Sequence, residues 1–229
     1  MKVQISFFSF FLLLCGCQDD MPVPQPAVET FQYLALGDSY TIGESVAIAG
    51  RWPNQLADSL QTRGVEIEVA QNIATTGWTT KNLLTGIAQA DLAETYDLVS
   101  LLIGVNNFFQ GRSIEEYEQE FNALLDEALA LAGNDPQRLI VLSIPDYAYT
   151  PFGANTSDPQ AISDGIDAFN AVNRSNTEAR NVAYFDITPI SRQGLNDPEL
   201  VASDGLHPSS KQYAAWVTQI QAEVRAIFP

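Results

Sequence analysis

The chain of 229 residues contains a single histidine, His207, and an aspartate stands three places before it in Asp204-Gly205-Leu206-His207-Pro208. A turn brings such a pair together, and the pair suits proton transfer. The carboxylate accepts the Nδ1 proton and fixes the tautomer, which leaves Nε2 free to take the proton of a serine hydroxyl. Three further groups stand out: Gly37-Asp38-Ser39-Tyr40, Gly77, and Gly104-Val105-Asn106-Asn107. Taken singly, each has an ordinary reading. Ser39 can be a loop hydroxyl capping the next segment, Gly77 a turn glycine, Asn106-Asn107 a turn pair, and His207 a histidine at a helix start.

The elements that must hold these residues are legible from periodicity. Short apolar, β-branched or aromatic runs at 31–36, 66–70, 98–103, 139–144 and 182–187 predict five strands. Amphipathic stretches at 52–63, 80–90, 114–131, 159–180 and 208–227 predict helices between and after them. Ser113 and Glu116 make a capping-box pattern, and Pro208 suits the first turn of the last helix. Strands alternating with helices imply an α/β fold with a parallel sheet. With strand order 2-1-3-4-5, the loops at 37–40, 72–77 and 104–107 adjoin at the carboxyl ends of neighbouring strands, where open α/β sheets bind ligands.

Together, the four groups resemble the signature blocks of the GDSL, or SGNH, hydrolase family, in the family's order and across the whole predicted domain. The resemblance implies a flavodoxin-like three-layer α/β/α sandwich and a serine esterase acting through an acyl-enzyme. It implies Ser39 as nucleophile, His207 as general base and acid, and Asp204 as its orienting carboxylate. It implies an oxyanion hole made of the Ser39 and Gly77 N–H groups and the Asn106 side-chain amide. Two departures stand out. The third block usually ends in aspartate where this chain has Asn107, and Thr41 replaces the second glycine of the Gly-x-Ser-x-Gly elbow, which speaks against the α/β-hydrolase fold.

Asp38, Tyr40, Trp78, Asn107, Phe108, Phe109 and Tyr147 are the candidates for a substrate pocket, with Tyr149 and Phe152 as further loop aromatics. Aromatics there suit either an acyl wall or a platform for a sugar, so an acetylated glycan, another short-chain acyl ester and a lysophospholipid all stand as substrates. Two rivals remain: a non-catalytic flavodoxin-like protein, which leaves Asp204 and His207 unexplained, and a glycan-binding lipoprotein that has lost the chemistry.

A net charge of −17 opposes phosphate backbones, so nucleic acid is not an expected partner. Both cysteines fall in the first 17 residues. With one histidine besides, a zinc site would be nearly all carboxylate, and no metal or other cofactor is expected. Residues 1–17 carry an apolar run too short to span a bilayer, ending in Leu14-Cys15-Gly16-Cys17, which resembles a bacterial lipobox. Cys17 is then the lipidated residue, 18–28 a proline-rich tether, and 29–229 the folded domain of an exported lipoprotein. Gln18 does not resemble an inner-membrane retention signal, so the outer membrane is the expected site.

Overall fold

Runs such as Leu98-Val99-Ser100-Leu101-Leu102 bury every residue, as strands covered on both faces must. Five strands build a parallel sheet: β1 (Phe31–Gly37), β2 (Ile67–Ala74), β3 (Leu98–Leu102), β4 (Leu139–Leu142) and β5 (Ala183–Phe185), with β3 and β4 fully buried inside it. Their spatial order is β2-β1-β3-β4-β5, with every neighbouring pair parallel. This is the three-layer architecture and strand order expected from sequence. The computed structural model describes Met1, Val3, Gln4 and residues 30–229. Cys17, the rest of the leader, the proline tether and the expected domain start at residue 29 lie outside the described residues.

The long helices are α2 (Trp52–Gln61), α3 (Thr80–Gln89), α5 (Ile114–Leu131), α7 (Pro159–Glu178) and α9 (Ser210–Arg225). Between them lie four one-turn helices at strand exits and loops: α1 (Ser39–Ile42), α4 (Val105–Phe109), α6 (Pro151–Ala154) and α8 (Thr188–Ser191). One turn carries too little periodicity to be read from sequence. α2 packs on α9, while α3 packs on α5 and α5 on α7, so helices cover both faces of the sheet. In α9 the buried residues Tyr213, Trp216, Val217, Ile220 and Val224 recur every three or four places, which lays one apolar stripe on the core. Burying each such side chain stabilises by about 1.5–3 kcal/mol.

Three expectations need correction. β2 continues to Ala74 rather than ending at residue 70, because its polar residues find partners: Gln71 Oε1 accepts from Tyr96 Oη at 2.7 Å and Asn72 Nδ2 donates to the Thr41 carbonyl at 3.3 Å. The last helix starts at Ser210, not Pro208. Pro208 instead forms an antiparallel bridge with Val201, and Ser209 caps the helix by accepting from Gln212 N. Ser113 caps α5 by accepting from Glu116 N, but the Glu116 carboxylate turns to Arg112 at 3.4 Å. The reciprocal capping box stands at α3 instead, between Thr79 and Asn82.

Candidate active site

β1 delivers Ser39. At its end the chain runs tightly between neighbours: a Cβ on Gly37 would lie 2.2 Å from Thr41 Oγ1 and 2.4 Å from the Leu102 carbonyl. Asp38 then caps α1, its Oδ1 accepting from Tyr40 N at 3.0 Å. Ser39 is the first residue of α1 and is buried. A first-turn N–H has no acceptor within its own helix, and that of Ser39 has none elsewhere among the described residues. Asp38 is fully buried and its Oδ2 has no hydrogen-bond partner. Burial pushes its carboxyl up to about 7, against the opposing pull of the backbone N–H groups of Tyr40, Gly104 and Asp38 itself.

Two more donors come from the exits of β2 and β3. Gly77 sits at φ +85° with open space where a Cβ would go, so the backbone conformation is what calls for glycine, and its N–H is unpartnered among the described residues. Asn106 lies on α4, where its Nδ2 donates to the Trp78 carbonyl at 3.0 Å and keeps a second N–H in reserve. Gly104, at φ +130°, caps α4. A Cβ there would meet Tyr117 Oη at 2.5 Å.

The imidazole comes from the other end of the chain. The 201–208 loop closes on itself through Ala202 N to the His207 carbonyl at 2.7 Å and Gly205 N to the Ala202 carbonyl at 3.0 Å. Asp204 Oδ1 accepts from the Leu206 and His207 N–H groups, each at 2.9 Å. Its Oδ2 lies 2.8 Å from His207 Nδ1 and accepts from Ser45 Oγ at 2.6 Å. Partial burial works against the ionised carboxyl. The donors Ser45, His207 N, Leu206 N and the His207 ring outweigh it and hold Asp204 at about 2. An ionised carboxylate can only accept, so the Nδ1–H is the donor in this contact. The Tyr40 ring meets the imidazole edge-on at 5.8 Å between centroids.

Ser39, Gly77, Asn106 and His207 border one cavity of about 140 Å³, and Asp204 stands behind the imidazole. Ser39 and His207 are not hydrogen-bonded to each other in this structure; such contacts commonly tighten only once substrate is bound.

Residues 35–215 match the family model described as GDSL-like lipase/acylhydrolase. The chain belongs to this family. No curated protein is detectably similar in sequence. Among solved structures, the chain is similar to a lipase/acylhydrolase from Enterococcus faecalis, with 20% identity, TM-score 0.67, and 86% of this chain and 96% of that one covered. It is also similar to the acetylxylan esterase Axe2 of Geobacillus stearothermophilus, at 19% identity and TM-score 0.66 over 85% of this chain and 94% of that one. A third is a member of the lipolytic G-D-S-L family from Veillonella parvula, at 16% identity and TM-score 0.64 over 83% and 96%. At these identities the likeness is one of fold.

Within this GDSL-like chain, three of the seven pocket candidates, Tyr40, Phe109 and Tyr147, line the cavity, and Phe152 joins them. The other four do not. Asp38 is buried beneath α1. Trp78 folds over α3, where a Cβ on Gly86 would lie 2.5 Å from its ring. Phe108 packs on α7, 5.8 Å from the Phe169 ring and over Gly165. Asn107 is buried, its Oδ1 accepting from Thr80 N at 3.0 Å and its Nδ2 donating to Thr80 Oγ1 at 2.6 Å, while Thr80 Oγ1 in turn donates to Glu120. Consecutive residues of α4 thus face opposite ways, Phe109 into the cavity and Phe108 into the protein. Thr76, Val105 and Leu206 also line the cavity, and Ser45 stands behind Asp204. Thr76, Val105 and Leu206 are sequence neighbours of Gly77, Asn106 and His207, a signal that could have found them; Ser45 carries none.

Proposed function

We propose that this GDSL-like hydrolase is a serine esterase that works through an acyl-enzyme. Ser39 Oγ attacks the ester carbonyl while His207 Nε2 takes its proton, and Asp204 stabilises the resulting imidazolium. The Ser39 and Gly77 N–H groups and the spare Asn106 amide hydrogen donate to the oxygen on which negative charge grows. Collapse of the tetrahedral intermediate breaks the ester C–O bond, and His207 returns its proton to the departing alcohol. Water, deprotonated by the same imidazole, then releases the acid and frees Ser39. The observation that carries this reading is the meeting, on one small cavity, of a buried serine, a histidine paired to a low-pKa carboxylate, and backbone donors without partners.

The substrate we infer is a short acyl ester of a neutral alcohol, an acetylated sugar above all. A cavity of about 140 Å³ suits an acetyl-sized group and not a long chain. Phe109, Tyr147 and Phe152 stand 6.3–6.4 Å apart as a ring of aromatic faces at its mouth, and Phe109 is 61% exposed, as a surface that stacks a sugar ring would be. The resemblance in fold to an acetylxylan esterase is consistent with this choice. A chain-length series of p-nitrophenyl esters, run beside acetylated xylo-oligosaccharides on protein lacking residues 1–17, tests it. Turnover falling from acetate to longer acyl groups is expected. Full activity in Ser39→Ala would sink the mechanism, and preference for long acyl chains would sink the substrate.

We further propose that Cys17 is acylated and anchors the enzyme at the outer membrane, a reading supported by the Leu14-Cys15-Gly16-Cys17 pattern and by Gln18. Metabolic labelling with an alkyne fatty acid should mark the wild type and not Cys17→Ser, and membrane fractionation reports the location.

A further inference from the structure

Oδ2 of Asp204 has two donors, and only one of them belongs to the acid–base pair. The other, Ser45 Oγ at 2.6 Å, comes from a loop 159 residues away in sequence. That loop grows directly from the nucleophile segment: the N–H groups of Gly43 and Glu44 both donate to the Ser39 carbonyl at 3.0 Å. Further hydrogen bonds hold it. Val46 N donates to the Gly43 carbonyl at 3.0 Å, Arg51 Nε donates to the Val46 carbonyl at 3.2 Å, and the Glu44 carboxylate accepts from Thr76 Oγ1 beside Gly77.

Ser45 also holds an unusual backbone. Among the described residues three that are not glycine have positive φ, and two of them, Asn134 and Asn181, belong to the residue type that tolerates it best. The third is Ser45, at φ +63°. If the turn alone mattered, glycine or asparagine would hold it with less strain. What serine adds here is a hydroxyl aimed at Asp204.

We propose that Ser45 is a positioning residue: its hydroxyl fixes the Asp204 carboxylate, and through it the His207 ring, relative to the segment that carries Ser39. This rests on the acyl-transfer reading above. An O–H donor on Oδ2 draws negative charge away from the carboxylate. Without it the carboxylate holds the protonated imidazole more firmly, and the acidic limb of the kcat/KM profile moves to higher pH. The charged and titratable groups around this corner are Asp38 and Tyr40 on the α1 segment, Glu44 on the same loop, Arg51 ahead of α2, Tyr213 on α9, and Asp146 and Tyr147 beyond β4. A change at Ser45 leaves all of them in place.

The test compares Ser45→Gly, which accepts the backbone and loses the hydroxyl, with Ser45→Asn, which accepts the backbone and offers an amide donor. Ser45→Gly is expected to lower kcat about three- to tenfold at unchanged KM, a modest loss because the contact is exposed. It is expected to raise the acidic limb and to keep or raise Tm. Ser45→Asn is expected to recover most of the kcat and return the limb. Wild-type kcat and pH profile in Ser45→Gly, or a Ser45→Asn enzyme as slow as Ser45→Gly, would overturn the assignment. Fluorophosphonate labelling separates the two levels. A wild type that forms no Ser39 adduct takes down the acyl-transfer reading and this inference with it, whereas a labelled wild type with an unaffected Ser45→Gly takes down the role of Ser45 alone.

Discussion

Ser39 leaves the sheet at the end of β1, whose residues Tyr33 to Leu36 are all fully buried, and its setting is fixed by backbone packed against backbone. His207 sits on a partly exposed loop outside the sheet, held by one β-bridge, a few backbone hydrogen bonds and the Asp204 carboxylate. On the proposed mechanism, the attacking atom therefore belongs to the buried interior, and the proton carrier to a surface turn. The difference teaches where each kind of damage should appear. Changes near the first should cost stability as well as chemistry, and changes near the second chemistry with little stability.

The largest effects test the roles themselves. Ser39→Ala and His207→Ala should each lower kcat/KM by a factor on the order of 10⁴ or more, and circular dichroism should show a His207→Ala fold as stable as the wild type. Asn106→Ala should cost about 10²–10³ in kcat, read from saturation kinetics with p-nitrophenyl acetate. Glycines break the comparison open. Gly104→Ala drives a methyl into Tyr117 and Ile144 at a φ that disfavours it, and denaturant unfolding should show a loss of about 3 kcal/mol.

The next effect concerns Asp38 and pH. Its carboxyl keeps its proton to about 7 in the fold and to about 4 when unfolded, so between those values the folded state binds more protons. Wild-type stability should therefore fall as pH rises from about 4 to about 7, with the loss complete above that. Asp38→Asn should lack this decline, closing a gap of about 3–4 kcal/mol in urea unfolding measured at both ends of the window. The smallest effect lies on the other side of the site. Gly205→Ala has room, with Pro151 Cβ no nearer than 3.6 Å, and should cost only the strain of its φ of +75°, about 1 kcal/mol. Equal losses at Gly104 and Gly205 would erase the distinction.

The same contrast explains what was legible in the sequence. The five strands and the long helices follow from burial, which writes its period into the chain, while their order is expected from the family resemblance; Ser39, Gly77, Asn106 and His207 do converge on one cavity. Facing within a single turn is a different matter. Phe108 and Phe109 are identical in composition, and α4 sends one inward and the other to the cavity mouth. Trp78 and Asn107 were misplaced for the same reason, because their partners, Gly86 and Thr80, are brought near only by the packing of α3. Ser45 is legible only once the 201–208 loop has arrived beside it.

Asn107 shows how one atom sets the direction of a relay. Because its Oδ1 is claimed by the Thr80 N–H, its amide nitrogen faces the Thr80 hydroxyl, which accepts from Asn107 and gives its only proton to Glu120. The aspartate usual at this place would offer a second acceptor to that one proton, and Glu120 would lose it. The amide at 107 and the acid at 120 are thus coupled through one hydroxyl, and an acid at 107 is expected to sit better with an amide at 120.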